Sequence, residues 1–159
     1  MAKDETAVRV RFLAAYDAQL RTDAETLSAI SVTYVGPLRL ATFAGGRGFI
    51  TYRNLGDVNA EGVRRLVVQG VNHFRSDAGI DQVEWKSRGH DFAPQLHEAL
   101  LENGFMPDEP ETIMIGEARR LALDVPLPEG VSSRQVTAES DVRALLAVQA
   151  AVLGDPVTE

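Results

Sequence analysis

Apolar positions along the chain change their period several times, and each change marks an element. From Glu5 to Leu20 the residues favour helix, with Phe12, Leu13, Tyr16 and Leu20 at helical spacing on one face. Thr22-Asp23-Ala24-Glu25 has the form of a capping box and predicts a short second helix to about Ala29. Ile30 to Tyr34 then turns β-branched and reads as a strand, broken at Gly36-Pro37. Leu38 to Phe43 and Phe49 to Tyr52 predict two more strands. The glycines of Ala44-Gly45-Gly46-Arg47-Gly48 between them supply hairpin backbone. In the first of these strands Leu38, Leu40 and Thr42 alternate with Arg39, Ala41 and Phe43, which gives it two distinct faces.

Ala60 to Asp77 returns to a helical period. Val63, Leu66, Val67, Gly70, Val71 and Phe74 form the buried stripe, and Gly79 ends the element. Gln82 to Lys86 is a strand with Val83 and Trp85 on one face and Glu84 and Lys86 on the other. Asp91 is the expected N-cap of the next helix, with Pro94 in its first turn, Leu96, Leu100 and Leu101 inward, and Asn103-Gly104 as its stop. A strand is expected over Thr112–Ile115. Pro126 to Gly130 has linker composition. The pattern then begins again, with a strand over Val131–Val136, a cap at Thr137 and a helix from Glu139 to Leu153. That helix carries Val142, Leu145, Leu146, Val152 and Leu153 on an apolar face. The expected organisation is a domain over 1–120, a linker over 121–130, and the first strand and helix of a second, incomplete domain over 131–159. The class is α/β (α+β).

Composition narrows the function. Apolar residues make up 45 % and charged residues 25 %, an ordinary globular balance. No apolar run approaches the ~20 residues of a membrane span. The net charge is −7, and the arginine pairs at 64–65 and 119–120 do not make the basic stripe of a nucleic-acid binder. The N-terminus lacks an apolar secretory core, so a cytoplasmic location is expected, with no nucleic-acid and no membrane partner. There is no cysteine, hence no disulfide and no thiolate site. The three histidines lack ligand spacing, so no metal site is expected.

Chemically suggestive side chains cluster around one predicted strand end. Glu84 and Lys86 share a strand face and are candidates for a cleft as general base and substrate contact. Alternatively they make a surface ion pair. His90 and Asp91, adjacent in sequence, complete the set of candidates for a cleft or interface, an imidazole beside a carboxylate being a common acid–base pairing. The bland reading makes His90 a locally bonded loop residue and Asp91 a cap. The Gly45–Gly48 cluster lacks the spacing of a phosphate loop and leads into a strand, so it reads as a turn.

The order of helix, three-strand meander, long helix, strand, helix, Asn103-Gly104-Phe105 and strand resembles the GNAT (GCN5-related) N-acetyltransferases. The fragments Tyr16-Asp17-Ala18-Gln19-Leu20-Arg21, Gly36-Pro37-Leu38-Arg39, Gly48-Phe49-Ile50-Thr51-Tyr52-Arg53, Val83-Glu84-Trp85-Lys86, Gly89-His90-Asp91 and Pro110-Glu111-Thr112 are similar to the N-terminal half of an actinobacterial-type tandem GNAT protein. The resemblance covers about Val10 to Ala118 and restarts at Val131, where Arg134-Gln135-Val136-Thr137 looks like the opening of a catalytic domain. It implies a mixed, mostly antiparallel central sheet flanked by helices. It also implies acetyl transfer from acetyl-CoA to a small-molecule or peptide amine, and a second GNAT domain or another copy of the chain as partner. In the family, [RQ]xxGx[GA] at a strand-to-helix junction grips the pyrophosphate of acetyl-CoA through backbone N–H groups. Here that junction reads Arg53-Asn54-Leu55-Gly56-Asp57-Val58-Asn59-Ala60, with one glycine and an added Asp. Tight binding of acetyl-CoA by this chain alone is therefore not expected. The alternative is a non-catalytic α/β interaction or dimerisation module.

Overall fold

The structure, a computed structural model, describes residues 2–122 and 125–153. They fall into two compact units, Met1–Ile115 and Gly116–Glu159.

The first unit opens with α1 (Ala2–Gln19), followed by a single 3-10 turn, Asp23–Thr26. Strands β1 (Ser31–Val35), β2 (Leu38–Phe43) and β3 (Arg47–Tyr52) form an antiparallel meander. Helix α2 (Ala60–Arg75) then carries the chain across to β4 (Gln82–Trp85), which pairs parallel with β3. The sheet is mixed, in the order β1-β2-β3-β4, and α3 (Leu96–Glu102) completes the unit. The parallel step needs a crossover, which a helix of this length supplies.

Alternation divides the sheet as its sequence predicts. Leu38, Leu40, Ile50 and Tyr52 face α2 and α3 and form one buried cluster with Val63, Val67, Val71, Phe74, Leu96 and Ala99. Gly70 lets α2 approach the sheet closely: a Cβ there would lie 3.1 Å from Ile50 and 3.4 Å from Leu38. Gly48 is tighter, since a Cβ would meet the Phe74 ring at 2.9 Å. Val83 and Trp85 pack against the same core, as expected of that strand face. The Asn103-Gly104-Phe105 stop works as a Schellman-type end. Gly104 takes φ 88°, the Phe105 N–H donates to Leu100 O at 3.1 Å, and the Phe105 ring meets Trp85 edge-on.

Several expectations change. The helix expected after Thr22 shortens to the 3-10 turn. Its threonine oxygen does accept the Ala24 N–H, but Glu25 does not reach back to complete a capping box. In α1 Tyr16 is buried and Phe12 and Leu13 are half-buried, while Leu20, just beyond the helix, is exposed. Asp91 does not cap α3. The helix begins five residues later at Leu96, with Gln95 in the left-handed region at φ 58°. Pro94 disfavours helical backbone at Ala93 and so delays the start. Leu101 is exposed, not inward. Thr112–Ile115 forms no strand; a β-branched segment becomes one only when a partner strand satisfies its backbone.

The second unit contains α4 (Ala118–Leu121) and α5 (Glu139–Leu153). Val131–Val136 forms no strand. Ala138, not Thr137, stands at the N-cap position just before α5, its carbonyl accepting from Asp141 and Val142. Arg134 donates two bonds to the Asp141 carboxylate, at 2.6 and 2.7 Å. Val142, Leu145, Leu146 and Val152 of α5 are exposed. Among the described residues, no helix is long and apolar enough to cross a membrane.

Candidate functional site

The sheet face opposite α2 carries Arg39, Ala41 and Phe43 from β2, Arg47, Phe49 and Thr51 from β3, and Glu84 from β4. The end of α1, the 3-10 turn and the loop after β4 bring their polar side chains to this side. Arg39 fixes the 3-10 turn by donating to the Thr22 carbonyl and the Asp23 carboxylate.

Arg21 is the centre of one cluster. Its side chain is only 3 % exposed. It donates to both oxygens of Asp91, at 2.7 and 2.9 Å, to Asp17 Oδ1 at 3.0 Å, and to the Tyr52 carbonyl at 3.0 Å. The fork-on-carboxylate geometry is the strong, directional form of an ion pair. His90 Nε2 lies 3.1 Å from Asp17 Oδ1 and 3.1 Å from Arg21 Nη1. One ring nitrogen cannot donate and accept at once. The Asp17 carboxylate is the natural acceptor, which assigns the proton to Nε2 and makes the guanidinium a neighbour of His90.

These contacts set the titration of Asp17. Its partial burial alone would raise the carboxyl pKa. The hydrogen bonds from Arg21 and His90, and their positive charge, outweigh it and hold the group below its ordinary value. A depressed carboxylate stabilises the fold above its unfolded pKa of 3.8, and that contribution disappears as pH falls through the lower folded value. Urea midpoints are therefore expected to hold steady through neutral pH and to drop below about pH 4. An Asp17→Asn variant should show a smaller acid drop. An identical acid dependence in the two proteins would remove this account. The Tyr52 phenol is pushed up, first by burial and then by the Asp91 charge. Among the described residues its buried hydroxyl has no partner in hydrogen-bond geometry, although Asp91 lies near enough to act on it.

Arg88 organises a second cluster. It donates to Tyr16 Oη at 3.0 Å, to Thr51 Oγ1 at 3.2 Å and to the Glu25 carboxylate. Thr51 Oγ1 donates in turn to the other Glu25 oxygen at 2.9 Å. Lys86 Nζ stands 3.5 Å from Glu25. Tyr16 connects the clusters: its hydroxyl meets Arg88, and its ring meets His90 edge-on at 6.4 Å.

The four candidates thus separate. His90 and Asp91 meet in the Arg21 cluster, and Lys86 joins Glu25. The Glu84 side chain makes no hydrogen bond or ion pair among the described residues, and the residue is exposed. Glu84 and Lys86 line an open groove of about 390 Å³ with Glu25, Ser28, Phe43 and Phe49. The two phenyl rings meet edge-to-face at 6.1 Å on its floor. Arg47 also lines the groove, so its two carboxylates, Glu25 and Glu84, stand against two cations, Arg47 and Lys86.

Sequence patterning missed Arg21, Arg88, Glu25 and Thr51. Arg21 stands four residues after Asp17, a readable helical pair. Its bond to Asp91 spans seventy residues and leaves no local trace. Glu25 carried a local signal that pointed to the wrong partner.

The junction between β3 and α2 closes on itself. Gly56 takes φ 75°, yet its N–H donates to Asn54 Oδ1 at 2.6 Å. Asn59 caps α2 and accepts the Gly62 N–H at 2.9 Å. Two donors that could face an anion are thereby used, and the Asp57 carboxylate adds negative charge nearby in sequence. No family model, no curated protein and no solved structure matches the chain.

Proposed function

We propose that the chain is the N-terminal portion of a GNAT-type N-acetyltransferase and is not catalytic by itself. Two features support this reading. One is the sequence resemblance. The other is an antiparallel meander followed by a helical crossover to a parallel strand. The observation that carries the non-catalytic part is the β3–α2 junction, where asparagine side chains occupy the Gly56 and Gly62 N–H groups. In the complete enzyme a base removes a proton from the substrate ammonium. The amine nitrogen then attacks the thioester carbonyl, the C–S bond breaks, and CoA leaves as the thiol after taking up a proton. The second domain, which α5 helps to open, supplies the grip on acetyl-CoA. The first unit supplies a supporting surface, with Glu84 and Lys86 on its groove.

Calorimetric titration of this chain with acetyl-CoA should show no binding at about 100 μM ligand, a level that saturates a site of micromolar affinity. Micromolar or tighter binding would overturn the closed-junction argument. The complete protein carrying both domains should release CoA thiol from acetyl-CoA in the presence of an acceptor amine. Failure across a broad amine panel would overturn the acetyltransferase reading.

A second reading, a non-catalytic interaction module, is favoured by one observation. Lys86, His90 and Asp91 all have partners inside the chain, and of the four candidates only Glu84 faces solvent without one. A chain that scaffolds without catalysing needs no unengaged acid or base. Under this reading the complete protein releases no CoA.

A further inference from the structure

Strand β1 forms an open edge of the sheet. Its sequence, Ser-Val-Thr-Tyr-Val, has high strand propensity. Natural sheets guard such edges with lysine, proline, bulges or a covering element. None of the strand's residues is charged or proline, and four of the five are exposed. The charge-free run extends from Thr26 to Leu38 in a chain whose charged content is 25 %. Within it Leu27, Ile30, Val32 and Tyr34 are all exposed, at 83, 71, 41 and 59 %.

The register shows which backbone groups are open. Val35 pairs with Leu38 across the two-residue Gly36-Pro37 turn, so this closing pair exchanges its hydrogen bonds within the hairpin. Alternation then points the N–H and C=O groups of Ser31, Thr33 and Val35 towards β2 and those of Val32 and Tyr34 away from it. The outward groups belong to the two residues whose side chains lie on the face opposite α2, beside Ala41 and Arg39.

We propose that β1 pairs antiparallel with β1 of a second copy about a two-fold axis at Thr33. In that register each Val32 faces Tyr34 of the other copy, and the outward N–H and C=O groups of both residues bond each other. The same alignment makes two aromatic–β-branched cross-strand pairs, a favourable combination. A slip of one residue would set inward-bonded Thr33 against outward-bonded groups and lose these bonds. Self-complementarity is the reason for choosing a second copy. The strand presents the same outward pair in both orientations of the two-fold, as an isologous contact requires. The run itself carries no charge; the nearest charged group, Arg39, stacks over the Tyr34 ring at 5.6 Å, donates to its hydroxyl at 3.2 Å and is balanced by Asp23, so no unpaired charge faces the contact. The inference stands on the sheet edge alone and is independent of the acetyltransferase reading.

The absence of cysteine makes the register directly testable in the whole chain. At the two-fold, Thr33 and its counterpart form a non-hydrogen-bonded pair, whose Cα separation of about 4.5 Å lies within the disulfide range. Thr33→Cys should give a covalent dimer under mild oxidation. Val32→Cys, whose counterpart lies diagonally across at about 7–8 Å, should not. Sedimentation of the unaltered chain should show a concentration-dependent dimer. Val32→Lys, which puts a charge at the edge, should weaken it about tenfold or more while far-UV circular dichroism stays unchanged. Glu84→Lys at the other edge should leave association as it was. A monomer throughout the micromolar range, a dimer indifferent to Val32→Lys, or equal cross-linking of the two cysteine variants would each overturn the proposal. So would an edge that takes up only a foreign extended peptide.

Discussion

Replacing Arg21 by alanine is expected to lower the unfolding free energy by about 3–5 kcal/mol, because it leaves a buried carboxylate without its counter-charge. The Asp91 side chain is 9 % exposed, and both of its oxygens accept from Arg21. Without the guanidinium Asp91 must take up a proton, draw in water, or pull the loop open. The Tyr52 carbonyl loses its donor at the same time. Three segments come apart together: the residues after α1, the end of β3, and the loop after β4. Urea unfolding followed by circular dichroism measures the loss. Replacing both partners, as Arg21→Met with Asp91→Asn, should cost clearly less than the sum of the single changes, since neither then strands a charge. Strict additivity, or a loss below about 1 kcal/mol for Arg21→Ala, would show the pair to be no more than a surface bridge.

The same pair shows where local reading of the sequence ends. The α2 stripe and the two faces of β2 were legible because their burial follows a period of 3.6 or 2, and a period is a local property. Trp85 was placed on the core side by the same alternation. Asp91 was misread because an acidic residue before a helical segment is a good cap signal, and nothing nearby announces Arg21. Glu25 was misread in the same way, its capping role lost to Arg88 across 63 positions of sequence. Thr112–Ile115 and Val131–Val136 have the composition of strands, but pairing is a property of two segments. Glu84 and Lys86 were rightly placed on one face, because alternation decides that. That Lys86 meets Glu25 and Glu84 does not depends on where the 3-10 turn lies over the sheet.

Arg88→Ala is expected to cost about 3 kcal/mol, near the lower end of the range for breaking a buried pair. The Arg88 and Glu25 side chains are 5 and 12 % exposed. Truncation removes the donor to Tyr16, Thr51 and Glu25 together. Lys86, 3.5 Å from Glu25, and the Thr51 hydroxyl remain, so the carboxylate is not wholly abandoned. Arg88→Lys should recover only a small part of the loss, because one ammonium cannot meet three acceptors spread around a planar fork. The damage should also be local. Glu25 and Ser28 line the groove, and Arg88 ties Glu25 to α1 through Tyr16 and reinforces its direct bond to Thr51 of β3. Amide exchange should therefore accelerate through Asp23–Thr26 well before it does in α2, whose Val63, Val67 and Phe74 stay buried against the sheet. Uniform acceleration would mean that Arg88 serves global stability alone. Selective acceleration would mean that one buried cation holds a groove wall in place, and that the wall can be loosened without dismantling the core beneath it.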